Sequence, residues 1–124
     1  MLIYCTECKK DVEARLTNGA EVYPHRKDLA DNPQWICDTC KNFVGTHHKS
    51  DDKYKPLGVI AGKEIKLLRQ KIHAIIEPKF KTGELNRKET YSKISKELGY
   101  VYHTGEIRSV ETANNIIKII NNIN

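Results

Sequence analysis

Two short motifs constrain this chain more than anything else in it: Cys5-Thr6-Glu7-Cys8 and Cys37-Asp38-Thr39-Cys40, with 28 residues between Cys8 and Cys37. A two-residue spacer lets the backbone curl until both sulfurs of a pair lie on one edge of a tetrahedron. Two such knuckles supply four thiolates to one Zn²⁺ at about 2.3 Å. Disulfides would use the same four cysteines, but they give no reason for two identical spacers and belong to oxidising compartments. A redox Cys-x-x-Cys is expected beside a βαβ pattern, which neither pair has. The spacing therefore predicts one structural zinc held by Cys5, Cys8, Cys37 and Cys40. With sulfur in all four positions no place is left for water, so the metal would fold the chain without catalysing a reaction.

The residues between the knuckles fit that role. From Asp11 to Thr17 the pattern alternates, with Val12, Ala14 and Leu16 on one face and Glu13 and Arg15 on the other, as in a half-buried strand. Asn18-Gly19 predicts a type I′ turn, in which both central residues take positive φ, with Ala20–Tyr23 as the returning strand. Gln34-Trp35-Ile36 leads into the second knuckle and Phe43-Val44-Gly45 leaves it. This is the pattern of a zinc ribbon, β-hairpins clamped at one end by metal. A lobe of about fifty residues has little core, so metal ligation would supply much of its folding free energy, on the order of 10–16 kcal/mol in small fingers. Lys9 and Lys41 each follow the second Cys of a knuckle and can offset sulfur charge or simply face solvent.

His47-His48-Lys49-Ser50-Asp51-Asp52-Lys53 is polar and charged, the composition of an exposed loop. Beyond it the period changes. Ile65, Leu68, Ile72, Ile75 and Ile76 predict an amphipathic helix from Gly62 to Glu77, ended or bent near Pro78. Asn86 and Glu89 form a capping-box variant that opens a second helix carrying Tyr91, Ile94 and Leu98, with Gly99 as its stop. Ser109 caps a third, whose buried stripe is Val110, Ala113, Ile116, Ile117, Ile120 and Ile123. The expected fold class is α+β: an N-terminal Cys₄ zinc ribbon over 1–50, a linker over 51–58, and a three-helix lobe over 59–124 packed on the ribbon.

The charge is unevenly placed. Residues 1–62 hold 9 Lys/Arg and 9 Asp/Glu, whereas residues 63–124 hold 12 against 7 and account for the formal +5. Four thiolates and one dication would bring the working charge nearer +3. The longest apolar run, Leu57 to Gly62, is far short of the ~20 residues a membrane span needs. Met1-Leu2-Ile3-Tyr4-Cys5 has no basic segment, apolar core or cleavage site of a signal peptide, so a cytoplasmic location is expected.

Taken in order, Cys5-x2-Cys8, the Asn-Gly pair before Tyr23, Trp35-Ile36-Cys37-x2-Cys40, Phe43-Val44-Gly45-Thr46-His47 and Pro56-Leu57-Gly58 resemble a family of small zinc-finger-containing proteins. The likeness continues through Ala61, Arg69-x3-His73, Phe80, Tyr91, Leu98-Gly99 and His103-Thr104-Gly105. Members occur largely in bacteriophages and prophages, so the resemblance implies a Cys₄ zinc site, a phage-like origin and a host-cytoplasm setting. It implies no activity. Where the family tends to carry an Asp and a Trp after the first helix, this chain has Glu77 and Lys79-Phe80.

Several other residues are candidates for chemistry. His47 and His48 follow Cys40 closely enough to compete for the metal, although four cysteines already close its shell; otherwise His47 packs on the ribbon or caps the loop. Arg69, His73 and His103 form a candidate polar site, an anion pocket or a general-base pair; as structural residues His73 and His103 would be partly buried and fix a loop against the helix. His25 between the knuckles raises a remote alternative, a ββα metal-dependent nuclease. That chemistry needs further metal-holding groups, and here Tyr23-Pro24 precedes His25, Lys41 follows Cys40, and Asn32 is the one partner at hand. No phosphate-binding loop, dinucleotide fingerprint or nucleophile elbow is present, so no enzyme and no small-molecule substrate is expected.

Two binding readings follow. In the first, Lys63, Lys66, Arg69, Arg87, Lys88, Lys93 and Lys96, with Lys71, meet the phosphates of a nucleic acid. In the second, the chain is a phage-encoded adaptor or inhibitor that docks on a host protein through aromatics such as Trp35, Tyr23, Tyr100 and Tyr102. Nucleic acid stands slightly ahead of protein as the expected target, although basic helix faces are commonly just solvated surface.

Overall fold

Strand β1 (Leu2–Cys5) enters the first cysteine pair and β2 (Lys10–Glu13) leaves it, the two pairing antiparallel from Leu2↔Glu13 to Cys5↔Lys10. At Ala14, which is buried, the chain changes sheet. Strand β3 (Arg15–Asn18) pairs with β4 (Pro33–Ile36), and β4 pairs in turn with β5 (Phe43–Gly45) across the second cysteine pair. The computed structural model describes residues 1–123, in two compact units divided after Lys63.

Asn18-Gly19 does not make the expected type I′ turn, and Ala20–Tyr23 is not a returning strand. Gly19–Val22 is a one-turn helix, α1. Asn18 is its N-cap: the backbone is extended at φ −143° and Oδ1 accepts the Glu21 N–H at 3.3 Å. Asn serves at both kinds of site. Here the pairing with β4 ends at Asn18↔Pro33, and the Gly19 and Ala20 N–H groups go on to Asn32 O and Ala30 O (2.9 and 3.1 Å), which holds the chain in the helical turn. Gly19 is needed for close approach rather than for positive φ, since a Cβ there would lie 1.7 Å from the Leu29 carbonyl oxygen.

The core of the first unit gathers Ile3, Cys5, Ala14, Cys37, Val44 and Ile60, with Trp35 packed against it. Trp35 donates its indole N–H to the Tyr54 carbonyl at 2.8 Å, tying the polar loop to the sheet. Residues 51–58 are tethered at Lys55 and Pro56: His47 N–H donates to Lys55 O at 2.9 Å, and Thr46 bridges Pro56. Val59, Ile60 and Ala61 are buried within this first unit, where Ile60 exchanges backbone bonds with Tyr4 and Thr6 (2.8 and 2.9 Å). Their apolar run supplies a strand-like segment beside Cys5, not the start of a helix.

Helix α2 spans Lys63–Lys81, from the last residue of the first unit into the second, and passes through Pro78. The sequence placed a stop or bend there. Proline removes the donor to the Ala74 carbonyl, yet one more turn follows, with Thr82 N–H donating to Pro78 O at 3.1 Å. Helix α3 (Arg87–Leu98) is capped by Asn86 Oδ1 on the Glu89 N–H at 3.0 Å and ends at Gly99, φ +82°. Helix α4 (Val110–Asn121) is capped by Ser109 Oγ on the Thr112 N–H at 3.1 Å. Ile72, Ile76, Ile94, Ala113, Ile116 and Ile120 are buried, as their helical spacing requires. The fold is α+β: β-hairpin sheets around four cysteines, then three helices. No helix among the described residues is long and apolar enough to cross a membrane.

Candidate metal centre

Each knuckle is a tight backbone turn that its own sequence closes. Lys9 N–H donates to Cys5 O at 2.8 Å, and Lys41 N–H donates to Cys37 O at 2.7 Å. In both turns the residue after the second Cys lies in the left-handed region, Lys9 at φ 58° and Lys41 at φ 66°. The two knuckles thus share one conformation, which is why they share one spacing.

That conformation brings all four sulfurs within 4.8 Å of one another. Cys5 Sγ lies 3.5 Å from Cys40 Sγ, and Cys8 Sγ lies 3.7 Å from Cys37 Sγ. A tetrahedron with metal–sulfur bonds of about 2.3 Å has edges of about 3.8 Å, so both separations match. A disulfide would need about 2.05 Å, and all four cysteines are free. Cys5 and Cys37 are buried, while Cys8 and Cys40 are half-buried.

The surroundings favour the thiolate at Cys37 and oppose it at Cys8 and Cys40. Burial alone would raise the Cys37 thiol, but the backbone N–H groups of Cys40 and Thr39 and its sulfur neighbours bring it down to about 7. Cys8 is pushed up to about 12 by burial and by the sulfurs of Cys37 and Cys5. The four groups therefore share charge poorly as bare sulfurs, because each thiolate opposes the next. A divalent cation at their centre removes that conflict and holds all four deprotonated. Asn42 Nδ2 donates to Cys40 Sγ at 3.0 Å, adding an outer hydrogen bond to the cluster.

Two further anchors hold the knuckles in place. Thr6 Oγ1, inside the first pair, accepts the Gly62 N–H at 2.8 Å. Asp38, inside the second, takes two bonds from Arg15 at 2.9 Å each, and the same guanidinium clasps Glu21 at 2.8 and 3.1 Å. Thr17 Oγ1 also donates to Glu21. Arg15 holds both carboxyls near 2, well below the usual range, and Lys41 adds to the effect at Asp38. Neither Asn42 nor Arg15 stood out in the sequence. Asn42 carried a weak signal in its place two residues after Cys40, whereas the Arg15–Asp38 pairing is fixed only by the β3–β4 register.

A family model described as a zinc-finger-containing domain matches residues 1–123. The chain belongs to that family. No curated protein and no solved structure matches it. Family and geometry agree on one structural zinc site, with Cys5, Cys8, Cys37 and Cys40 as ligands. Zinc there supplies cross-linking between the two hairpin ends, and the all-sulfur shell leaves no coordination position open to substrate.

The other sequence candidates are dispersed. His25, His47 and His48 are exposed and lie outside the four-residue group. His48 Nδ1 lies 3.3 Å from the Thr46 carbonyl, and the His47 carbonyl accepts bonds from Ser50. Arg69 donates to Gly105 O at 2.8 Å, and its Nε is buried without a hydrogen-bond partner among the described residues. Burial lowers its pKa, with Glu106 acting the other way. His73 instead faces Glu77 at 3.6 Å. His103 is exposed and begins a 3-10 turn, accepting the Glu106 N–H on its carbonyl. At the corner where the sequence departs from the family, Arg87 grips Glu77 with two bonds (3.2 and 3.0 Å) and lies 4.6 Å from the centre of the Phe80 ring. Tyr102 is buried rather than an exposed anchor, whereas Tyr100 is exposed.

Proposed function

We propose that the chain is a non-enzymatic zinc-ribbon module of phage or prophage type that contacts nucleic acid through the basic surface of its helical unit. From Glu64 onward there are eleven Lys/Arg against seven Asp/Glu. The observation that carries the reading is the state of those cations. Lys88, Lys93 and Lys96 on α3 are exposed and make no ion pair among the described residues. Lys63 is exposed at the head of α2, and Lys66 is half-buried. Arg69 and Arg87 are committed to Gly105 and to Glu77, so they serve the unit's own structure. The exposed α3 lysines are left to meet phosphates.

Binding by phosphate contact is salt-dependent, because each neutralised phosphate releases a condensed counterion. The zinc-loaded full chain is titrated into labelled DNA and RNA at several salt concentrations. Affinity at low salt that falls steeply with added salt, and that the triple reversal Lys88→Glu/Lys93→Glu/Lys96→Glu abolishes, supports the proposal. Absence of binding to every nucleic acid at low salt overturns it.

A further inference from the structure

We infer that the nucleic acid is single-stranded and lies in the groove along one side of α3, with a base stacked on Tyr100. The inference rests on the nucleic-acid reading above and specifies its site. An open groove of about 1050 Å³ runs from Asn86 at the start of α3 to the chain beyond Gly99. Arg87, Lys88 and Lys96 line it, together with Tyr91, Tyr100 and Val101, and no carboxylate does. The groove therefore matches a ligand that is both anionic and rich in flat apolar faces. Lys88 and Lys96 stand two turns apart, about 12 Å along the helix, so a strand following α3 meets one ammonium near each end.

The local structure explains why the aromatic wall is exposed. Gly99, in the left-handed conformation, turns the chain back at the end of α3. Ser95 then fixes it: its hydroxyl donates to Tyr91 O and accepts the Tyr102 N–H, both at 2.8 Å. Tyr102 is thereby buried, its ring edge-on to Tyr91 at 5.4 Å, while Tyr91 also meets Phe80 at 6.2 Å. With Tyr102 held inside, the two residues before it project outward, Tyr100 57% exposed and Val101 72% exposed. Two adjacent large side chains kept in water beside unpaired lysines fit a stacking platform with a phosphate track. Single-strand binders use that combination, because every base offers a π face. A duplex keeps its bases stacked on one another and offers nothing to Tyr100.

The test uses the zinc-loaded full chain, a labelled oligo-dT strand, a duplex of the same length and a poly-glutamate peptide. The single strand should bind more tightly than the duplex, with a log–log salt slope of about −1.4 for two phosphate contacts. Tyr100→Ala should weaken single-strand binding by roughly fivefold or more, Tyr100→Phe should preserve it, and Lys88→Gln/Lys96→Gln should flatten the salt slope. Equal or tighter duplex binding, or single-strand binding indifferent to Tyr100→Ala, overturns the inference while the nucleic-acid reading stands. No binding to either nucleic acid overturns both. Poly-glutamate competing as well as oligo-dT would mark the groove as a site for acidic protein segments and would also overturn it.

Discussion

Replacing Gly19 with alanine tests the close approach that the fold makes at this residue. In an unobstructed first helical turn, Gly→Ala stabilises by up to about 1 kcal/mol. Here the new Cβ would stand 1.7 Å from the Leu29 oxygen and 2.5 Å from its carbonyl carbon. The Leu29 carbonyl would have to retreat by about 1.7 Å, the difference between 1.7 Å and an ordinary contact of 3.4 Å. The bonds from Gly19 N–H to Asn32 O (2.9 Å) and from Ala20 N–H to Ala30 O (3.1 Å) hold that segment, so the retreat breaks them. Two backbone bonds contribute about 1 kcal/mol each, and overpacking adds about 1–3 kcal/mol. Against the helix gain of about 1 kcal/mol, Gly19→Ala is expected to destabilise the first unit by about 2–4 kcal/mol. At roughly 4–8 °C per kcal/mol for a domain of this size, thermal melts of zinc-loaded protein should shift down by about 8 °C or more. Gly83→Ala is the contrast: its φ is +78° with nothing near the added Cβ, so it should cost only about 1–2 kcal/mol of backbone strain. A neutral or stabilising Gly19→Ala would refute the placement of the Leu29 carbonyl against Gly19.

Two other expectations follow from the metal centre. Asn42→Ala removes the donor to Cys40 Sγ and should lower zinc affinity about tenfold in competition with a chromophoric chelator; unchanged affinity would show that the bond does not support the thiolate. Carbon-detected NMR should place the Asp38 and Glu21 carboxyl titrations near pH 2, and Arg15→Ala should return both toward about 4. Because both carboxyls are depressed in the folded form, their contribution to stability is complete above their unfolded values near 4 and is lost as pH falls through about 2. Titrations that ignore Arg15→Ala would contradict the clamp.

How much of this was legible in the sequence depends on how local each cause is. The cysteine pairs, the Asn86 and Ser109 caps, and the Gly99 stop are decided within a few residues, and they lie where the sequence placed them. The Ile stripes of α2 and α4 were readable because burial repeats with the helix. Asn18-Gly19 was not, because the same dipeptide serves a turn or a cap, and the bonds that hold the helical turn go to Ala30 and Asn32, further along the chain. Pro78 is the other departure: the local rule predicts a stop or bend, but the helix continues to Lys81. Ile60 belongs beside Cys5 through a pairing across 55 residues that no periodicity encodes. Arg15, Asn42 and the Ser95 tether escaped notice because each acts through a partner that only the fold supplies.

The zinc coordination shell itself is the most direct measurement. X-ray absorption at the zinc edge on purified full-length protein should show one metal per chain surrounded by four sulfur atoms at about 2.3 Å. Nitrogen or oxygen in the shell would mean that a histidine or water has replaced a cysteine. A metal-free protein with sulfurs joined at about 2.05 Å would contradict the account at its foundation.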